Sequence, residues 1–233
     1  MTELVERLRS ARSVLALTGS GVSAESGLPT FRGAGGLWRD RRVEDLASPQ
    51  GFARDPALVW TWYNQRIAAH AAAVPNAAHY ALAALEERIA DFTLVTQNVD
   101  SLHVRAGSRD PVELHGHLRA ARCTVCGTRR PLDARGLPPG EIEHGCGGRM
   151  RPEVVWFGEP LPRDAWERAE RAARRADVIL VAGTSAVVYP AAALATAYRE
   201  RAYVAEINPE ATAISARVDC RLRGTASVEL ERI

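Results

Sequence analysis

Residues 13–24 read SVLALTGSGVSA. The apolar first half is typical of a buried strand in a parallel sheet. The second half, Gly19-x-Gly21-x-x-Ala24, fits the dinucleotide fingerprint G-x-G-x-x-G/A, in which missing side chains let backbone amides approach a pyrophosphate. A glycine-rich turn that serves only close packing gives the same pattern, so the rest of the chain must decide between the two.

Short apolar segments alternate with helical patterns along the remaining sequence. Further strands are predicted at residues 91–95, 112–114, 177–182 and 203–207. Helices are predicted at residues 1–8, 77–90, 163–175 and 190–199. This alternation predicts an α/β fold with a Rossmann-like parallel sheet and right-handed crossovers. Polar residues follow four of the strands, at the carboxyl edge where open α/β sheets bind ligands: Gly19, Gln97, Gly183 and Asn208.

Two stretches interrupt this alternation. Residues 33–74 begin with glycines, Trp38 and arginines before turning helical, and residues 119–151 contain three of the four cysteines. We expect a single catalytic unit over residues 1–233. Its large domain would comprise residues 1–32, 75–118 and 152–233. A smaller inserted domain would comprise residues 33–74, the helical part, and 119–151, a zinc-ribbon-like part.

The composition excludes several classes of protein. Hydrophobic residues make up 46% of the 233 residues, enough for a full core, and the net charge of +2 argues against a dedicated polyanion binder. All 30 lysine-plus-arginine residues are arginines, which favours a coding bias over a function. Residues 1–8 lack the pattern of a signal peptide, no apolar run approaches a membrane span, and the cysteines do not suggest a disulfide framework. We therefore expect a cytoplasmic monomer that binds neither membranes nor nucleic acid.

Several motifs together carry a family resemblance. They are GSGVSAESGLPTFR at 19–32, TQNVD at 96–100, HG at 115–116, VVWFGE at 154–159 and GTS at 183–185. In this order and over essentially the whole length, the chain resembles the sirtuins, the NAD-dependent protein-lysine deacylases. The resemblance implies that NAD is consumed as a co-substrate, that acylated-lysine proteins or peptides are the partners, and that nicotinamide and O-acyl-ADP-ribose are the products. Where the family usually has alanine this chain has Ser20, a change that we expect to be tolerated.

The resemblance assigns NAD contacts residue by residue. The implied NAD-binding residues are Gly19, Ser20, Gly21, Ser23, Ala24, Glu25, Pro29, Phe31, Arg32, Trp38, Gln97, Asn98, Val99, Asp100, Gly183, Thr184, Ser185, Asn208, Pro209, Glu210 and Ala226. Phe31 and Arg32 would lie near the nicotinamide ribose, on a loop that closes over NAD. Asn208 and Glu210 would meet the adenosine ribose, although Asn-Pro is also a common turn pair.

His115 and Asn98 are the predicted catalytic residues. His115 follows a strand and precedes a glycine, and the ordinary histidine pKa near 6.5 suits a general base at neutral pH. The resemblance implies that His115 deprotonates a ribose hydroxyl. Asn98 and Asp100 follow a buried strand, where they could bind nicotinamide, water or ribose, or cap the next helix. Both roles remain open for Asp100.

A Tyr-x-x-Arg pair predicts the acyl group. Tyr63 and Arg66 are three residues apart on a predicted helix and therefore share a face. Arginine binds a carboxylate through two parallel hydrogen bonds, and a tyrosine hydroxyl can add a third. The pair resembles the signature of the sirtuin branch that removes succinyl, malonyl and glutaryl groups, and Ala34 matches that branch by leaving room for a longer acyl chain. A surface aromatic–arginine pair is the alternative.

The resemblance also implies a peptide-binding edge. Residues 154–159 resemble the strand beside which an extended substrate peptide pairs, with residues 186–189 on the opposite side. The implied contacts with substrate are Val155, Phe157, Gly158, Glu159 and Val188.

Cys123-x-x-Cys126 and Cys146 predict a structural zinc site with one cysteine missing. A structural zinc takes four tetrahedral ligands, and three cysteines with one histidine are a known set. His144 is the candidate for the fourth ligand, with Glu143 and Glu141 as alternatives. Cys220 lies in an apolar stretch and is interpreted as a small hydrophobic residue.

Three functions compete at this point. The first is an NAD-dependent deacylase that prefers succinyl and malonyl groups and keeps weaker deacetylase activity. The second is a deacetylase or a mono-ADP-ribosyltransferase on the same scaffold. The third is a non-catalytic zinc-ribbon module for nucleic acid, suggested by Arg119, Arg122, Arg129 and Arg130. The balanced overall charge argues against the third.

Overall fold

A computed structural model describes residues 1–30 and 42–233. The predicted contacts of Phe31, Arg32, Ala34 and Trp38 lie outside these described residues. The strands are β1 (Ser13–Thr18), β2 (Asp91–Thr96), β3 (Val112–Glu113), β4 (Gly116–Cys123), β5 (Arg129–Pro131), β6 (Met150–Val154), β7 (Val178–Ala182), β8 (Tyr203–Ile207) and β9 (Cys220–Leu222). The helices are α1 (Thr2–Ser10), α2 (Val43–Leu46), α3 (Pro49–Arg54), α4 (Pro56–Ala72), α5 (Ala77–Arg88), α6 (Leu102–Arg105), α7 (Arg163–Arg175), α8 (Ala191–Leu194) and α9 (Ala226–Glu231).

The large sheet is parallel throughout and has the order β3-β2-β1-β7-β8-β9. Strand β1 is buried along its whole length, as its apolar sequence requires. The strand order reverses between β1 and β7, and the crevice outside the carboxyl ends at such a reversal is where α/β sheets bind ligands. The predicted Rossmann-like fold is thus confirmed, and the glycine turn that follows β1 lies at the reversal.

Helices cover both faces of this sheet. Helices α7 and α8 pack their alanines and Leu194 on one face, around Leu15, Ile179 and Val204. Helices α1, α5 and α9 cover the other face, around Val14, Leu180 and Ile207. Alternate residues of each strand therefore enter different cores, which follows from the two-residue repeat of a strand.

The helix predicted over residues 190–199 is wrong in length. Helix α8 ends at Leu194, and the chain continues as turns. The reason lies in the backbone pairing, because Ala195 bonds to Ala192, Thr196 to Ala193 and Arg199 to Thr196, each three residues back rather than four.

A smaller antiparallel sheet has the order β5-β4-β6. Its residues share a third core with helices α2, α3 and α4, built around Leu46, Phe52, Trp60, Leu118 and Met150. Helix α4 begins with Pro56 after Asp55, whose carboxylate accepts the Leu58 amide at 2.9 Å. Trp60 anchors α4 to this sheet by donating its indole N–H to the Met150 carbonyl at 2.7 Å. None of the described helices could span a membrane, given their length and polarity.

Candidate active site

A cavity of about 620 Å³ opens between the carboxyl edge of the large sheet and the core shared by α4 and β6. A volume of this size is typical of a small-molecule site. The described residues that were predicted for NAD, acyl group or peptide line this cavity, except Ala186 and Val187 of the predicted peptide-facing segment 186–189. Sequence reasoning missed other lining residues, among them Trp62, His70, Trp156 and Thr212.

The glycine turn after β1 packs tightly against the end of β7. The Gly19 amide donates to the Ala182 carbonyl at 3.1 Å, and the Gly21 amide donates to the Gly183 carbonyl at 2.8 Å. A Cβ on Gly21 would lie 2.8 Å from Gly183 Cα, so glycine is required by close approach of two backbones. The packing alternative therefore explains these glycines, and both of these amides are already bonded within the protein.

A buried polar network lies next to this turn. Asn98 Nδ2 donates to the Gly19 carbonyl at 3.1 Å and to Ser23 Oγ at 3.2 Å. Ser23 Oγ donates to Asp100 Oδ2 at 2.7 Å. Asp100 Oδ1 accepts the amide of Leu102, the first residue of α6, at 2.9 Å, while the N-cap position itself is Ser101. Burial raises the pKa of Asp100, against the hydrogen bonds from Leu102 and Ser23.

Two histidines that the sequence did not single out lie in tilted contact next to this network, with His79 Nε2 3.4 Å from Ser23 Oγ. The rings of His79 and His103 are 4.8 Å apart, and both are buried. Desolvation lowers the pKa of His79 to about 4 and that of His103 to about 3. Both rings are therefore neutral near pH 7, which lets them lie in contact without charge repulsion. The sequence does contain a pattern that could have drawn attention to His79, because His79 lies three residues after Asn76 and forms a capping box with it at the start of α5.

The tautomer of His115 follows from its hydrogen bond. Its Nδ1 lies 3.0 Å from the Gln97 carbonyl, and a carbonyl can only accept, so Nδ1 carries the proton. Nε2 then holds a free lone pair, which is the form that a general base needs. Burial lowers the pKa of His115, and the bond to Gln97 opposes that shift. The unprotonated form therefore persists below the ordinary histidine pKa.

The edges of β2, β7 and β8 are tied together at the other side of the cavity. Gln97 Nε2 donates to Thr184 Oγ1 at 3.1 Å, and Asn208 Nδ2 donates to the Thr184 carbonyl at 3.1 Å. The Glu210 amide donates to Asn208 Oδ1 at 3.4 Å, which is the turn alternative for this Asn-Pro segment, and the Glu210 side chain stays exposed. Gln97 and Asn208 are thus fixed in place by bonds to one residue.

Helix α4 delivers Tyr63 and Arg66 to the opposite end. Tyr63 is 2% exposed, and its hydroxyl accepts the Trp156 indole N–H at 2.9 Å. The Arg66 guanidinium lies over the Trp62 ring, 4.7 Å from the centroid, and 5.6 Å from that of Tyr63. Within residues 1–30 and 42–233, Arg66 forms no ion pair, and its buried Nε has no hydrogen-bond partner. Burial lowers the pKa of Arg66, while Tyr63 and Asp100 oppose that shift.

His70 lies one turn beyond Arg66 and also lines the cavity. Desolvation, helped by the charge of Arg66, lowers the pKa of His70 to about 3. Because His70 is neutral near pH 7, it adds no second positive charge beside Arg66.

The predicted peptide strand over residues 154–159 is only partly a strand. Strand β6 ends at Val154, and the chain then turns, with the Glu159 amide bonded to the Trp156 carbonyl. The Glu159 carboxylate accepts Arg151 Nη2 and the Trp156 amide, each at 2.8 Å, and so holds the turn together. Burial alone would raise the pKa of Glu159, but these two donors hold it below its usual value. Phe157 is 41% exposed and lines the cavity, as Val155 and Gly158 do.

Four predicted metal ligands meet at the end of the small sheet. The ligand atoms of Cys123, Cys126, His144 and Cys146 all lie within 4.8 Å of one another. Tetrahedral zinc with thiolate ligands places sulfurs about 3.8 Å apart, and Cys123 Sγ lies 3.4 Å from Cys146 Sγ. His144 Nδ1 lies 3.7 Å from Cys126 Sγ. The donor set fits a structural zinc, with the histidine in the place of a fourth cysteine, while Glu141 and Glu143 bind Arg130 and Arg149 instead.

The fold and the site define a class, the dinucleotide-binding α/β enzymes, here with a histidine in the cavity and a group of four potential zinc ligands at the end of a small sheet. Comparison with known proteins identifies the family within this class. The family model described as "Sir2 family" matches residues 19–190. An NAD-dependent protein deacylase of Thermus thermophilus is 52% identical over 98% of this chain and 91% of its own length.

Solved structures agree with this assignment. A Sir2 homologue in complex with NAD is 47% identical, with a TM-score of 0.93 over 100% of this chain and 91% of its own. A Sir2 enzyme in complex with a p53 peptide and NAD is 30% identical, with a TM-score of 0.86 over 100% and 96%. The chain belongs to the Sir2 family and is an NAD-dependent protein deacylase.

Proposed function

We propose that this deacylase removes acidic acyl groups, succinyl and malonyl, from lysine side chains, with weaker activity on acetyl-lysine. The observation that carries the proposal is Arg66, a half-buried arginine in the cavity wall whose Nε is buried and which has no ion pair among the described residues. A buried charge without a counterion is costly. A carboxylate at the end of an acyl chain would supply that counterion.

Tyr63 supports the same proposal through the direction of its hydrogen bond. Its hydroxyl accepts a hydrogen bond from the Trp156 indole N–H, so its own O–H points elsewhere. In the described part of the chain, that proton has no recorded acceptor. A carboxylate could therefore accept two hydrogen bonds from Arg66 and one from Tyr63.

The substrate that fits is a protein or peptide with an acylated lysine. The exposed Phe157 and the residues beside it form one wall of the cavity, and Val188 lies on the other. The Sir2 enzyme bound to a p53 peptide supports a peptide in this place. NAD, the co-substrate, supplies the ribose hydroxyls that receive the acyl group. His115 Nε2 would remove the proton of one hydroxyl, and Asn98 would line the nicotinamide side.

We infer the same division of the chain as from the sequence, with residues 33–74 and 119–151 forming a small domain. The separate core shared by α2–α4 and β4–β6 supports this division. The cavity then lies between the two domains.

The test compares nicotinamide release from succinyl-, malonyl- and acetyl-lysine peptides of one sequence. Arg66→Met is expected to lower kcat/KM on the succinyl peptide by about 100-fold, the worth of a charge-assisted bidentate bond, and to spare the acetyl peptide. Gln65→Met, on the exposed side of the same helix, serves as the matched control.

Equal losses on succinyl and acetyl peptides would refute the carboxylate pocket. A wild-type enzyme that prefers acetyl over succinyl would identify a deacetylase instead. Transfer of labelled ADP-ribose to protein without acyl release would identify the ADP-ribosyltransferase alternative.

A further inference from the structure

A buried carboxylate in strand β8 lies behind one wall of the NAD cavity. Glu206 is 1% exposed and stands between Val181 of β7 and Arg221 of β9 in the sheet. Glu206 does not line the cavity itself. A carboxylate buried this deeply must be paired and hydrogen-bonded, and its partners show what it holds.

Both oxygens of Glu206 bind the segment that follows its strand. Thr212 Oγ1 donates to Oε1, and Ser215 Oγ donates to Oε2 at 2.5 Å. Arg221 Nε lies 3.3 Å from Oε2 and supplies the balancing charge. Each hydroxyl also accepts a backbone amide, Thr212 Oγ1 from Ile214 and Ser215 Oγ from Thr212, so each hydroxyl links the carboxylate to the backbone of this segment.

The segment held in this way is part of the cavity. All five residues from 208 to 212, here called the 208–212 wall, line the cavity. Its first residue, Asn208, is fixed by two bonds, from its amide to the Leu222 carbonyl and from Nδ2 to the Thr184 carbonyl, each 3.1 Å. Its last residue, Thr212, is fixed by Glu206. The wall is therefore anchored at both ends, and the second anchor is a charged group.

We propose that Glu206 is a positioning residue that sets the affinity for NAD by holding the 208–212 wall in place. The ligand it serves is the nucleotide, since the wall follows β8 at the carboxyl edge of the large sheet. The acyl pocket on α4 and the base His115, which is held by Gln97, have other supports. The effect should therefore fall on nucleotide binding rather than on acyl selectivity.

The test measures the Kd of ADP-ribose by calorimetry and the KM values for NAD and for acyl peptide. Glu206→Gln removes the charge from both hydroxyl bonds and from the pair with Arg221, whereas Thr212→Val removes only the bond from Thr212. Each is expected to weaken ADP-ribose binding about tenfold, because each releases the Thr212 end of the wall. KM for NAD should rise with it, with a much smaller change in KM for the peptide. Thr212→Ser keeps the hydroxyl and is the rescuing control.

The Kd of the double variant Glu206→Gln, Thr212→Val for ADP-ribose should be no more than about twofold higher than that of either single variant. The reason is that both substitutions disrupt the same bond, the one between Thr212 and Glu206. If Glu206→Gln does not fold, Thr212→Val and Thr212→Ser carry the test alone. A folded Thr212→Val with a lower Tm and unchanged Kd for ADP-ribose would show that Glu206 only stabilises the fold, and would overturn the proposal.

Discussion

At the residue scale, three side chains of the site owe their chemistry to burial. Desolvation lowers the pKa of His115 and of Arg66 and raises that of Asp100. The direction is the same in each case, toward the neutral form, because a poorly solvated charge is costly. His115 reaches its working state in this way, whereas Arg66 stays charged because the ordinary arginine pKa lies so far above 7.

The pH profile of the enzyme should follow His115. Its protonated form cannot act as a base, so activity is lost as the pH falls through its pKa. Because burial places that pKa below 6.5, the acid limb of kcat/KM is expected below pH 6.5 rather than at it. Initial rates of nicotinamide release between pH 4.5 and 8 would locate the limb.

His115→Ala provides the control for this profile. It is expected to lower kcat by about 100-fold or more, the usual contribution of a general base, and to remove the acid limb. Wild-type activity that is constant down to pH 4.5 would contradict the assignment of the base.

At the scale of elements, we expect one end of the small sheet to depend on a bound metal. Strand β5 has only three residues, and two of the four ligands, His144 and Cys146, lie in a loop without regular structure. Short strands of this kind are marginal without a metal, a disulfide or further packing. The zinc would therefore act as a structural crosslink between the β4–β5 turn and the loop before β6.

Zinc content and stability should accordingly change together. His144→Ala is expected to lower zinc below one ion per chain and to lower Tm, whereas His144→Cys should keep both, because a Cys₄ set also suits zinc. Elemental analysis and thermal unfolding with and without a chelator would check this. Full zinc occupancy in His144→Ala would exclude His144 as the fourth ligand.

At the scale of the whole molecule, the absence of lysine means that the chain has no lysine side chain that could be acylated. All 30 basic residues of the lysine and arginine type are arginines, and arginines form the ion pairs on the described surface. Arginine does not accept acyl groups under conditions that acylate lysine, so the chain presents no side-chain amine of the kind on which its substrates carry their acyl group. No side chain of this sequence can therefore become an acyl-lysine that the enzyme itself would remove.

Incubation with succinyl-CoA should therefore leave the enzyme active and add at most one stable acyl group, on the N-terminal amine. Intact-mass spectrometry and the rate of nicotinamide release would measure both. The exposed Arg109→Lys is the matched control, because it should gain one further acyl group. Several stable adducts on the unaltered chain would contradict the prediction.

The sequence by itself determined the fold class, the parallel strands and the place of the glycine turn. These follow from patterns between neighbouring residues, such as the apolar run of residues 13–17 and the period of helix α7. The spacing of Tyr63 and Arg66 likewise predicted a shared helical face, and both do line the cavity. Local repeats of this kind are written in the chain before it folds.

Only the tertiary structure decided which polar groups are free and which are already bound. Glu159 is held by Arg151, the Gly21 amide by Gly183, and Thr212 by Glu206, whereas Arg66 has no counterion in the described part of the chain. A hydrogen bond requires a donor–acceptor distance of about 3 Å and a suitable angle. The number of residues between the two partners in the sequence determines neither the distance nor the angle. The pairing of polar groups across the fold therefore determines which of the predicted residues can contact a ligand in the cavity.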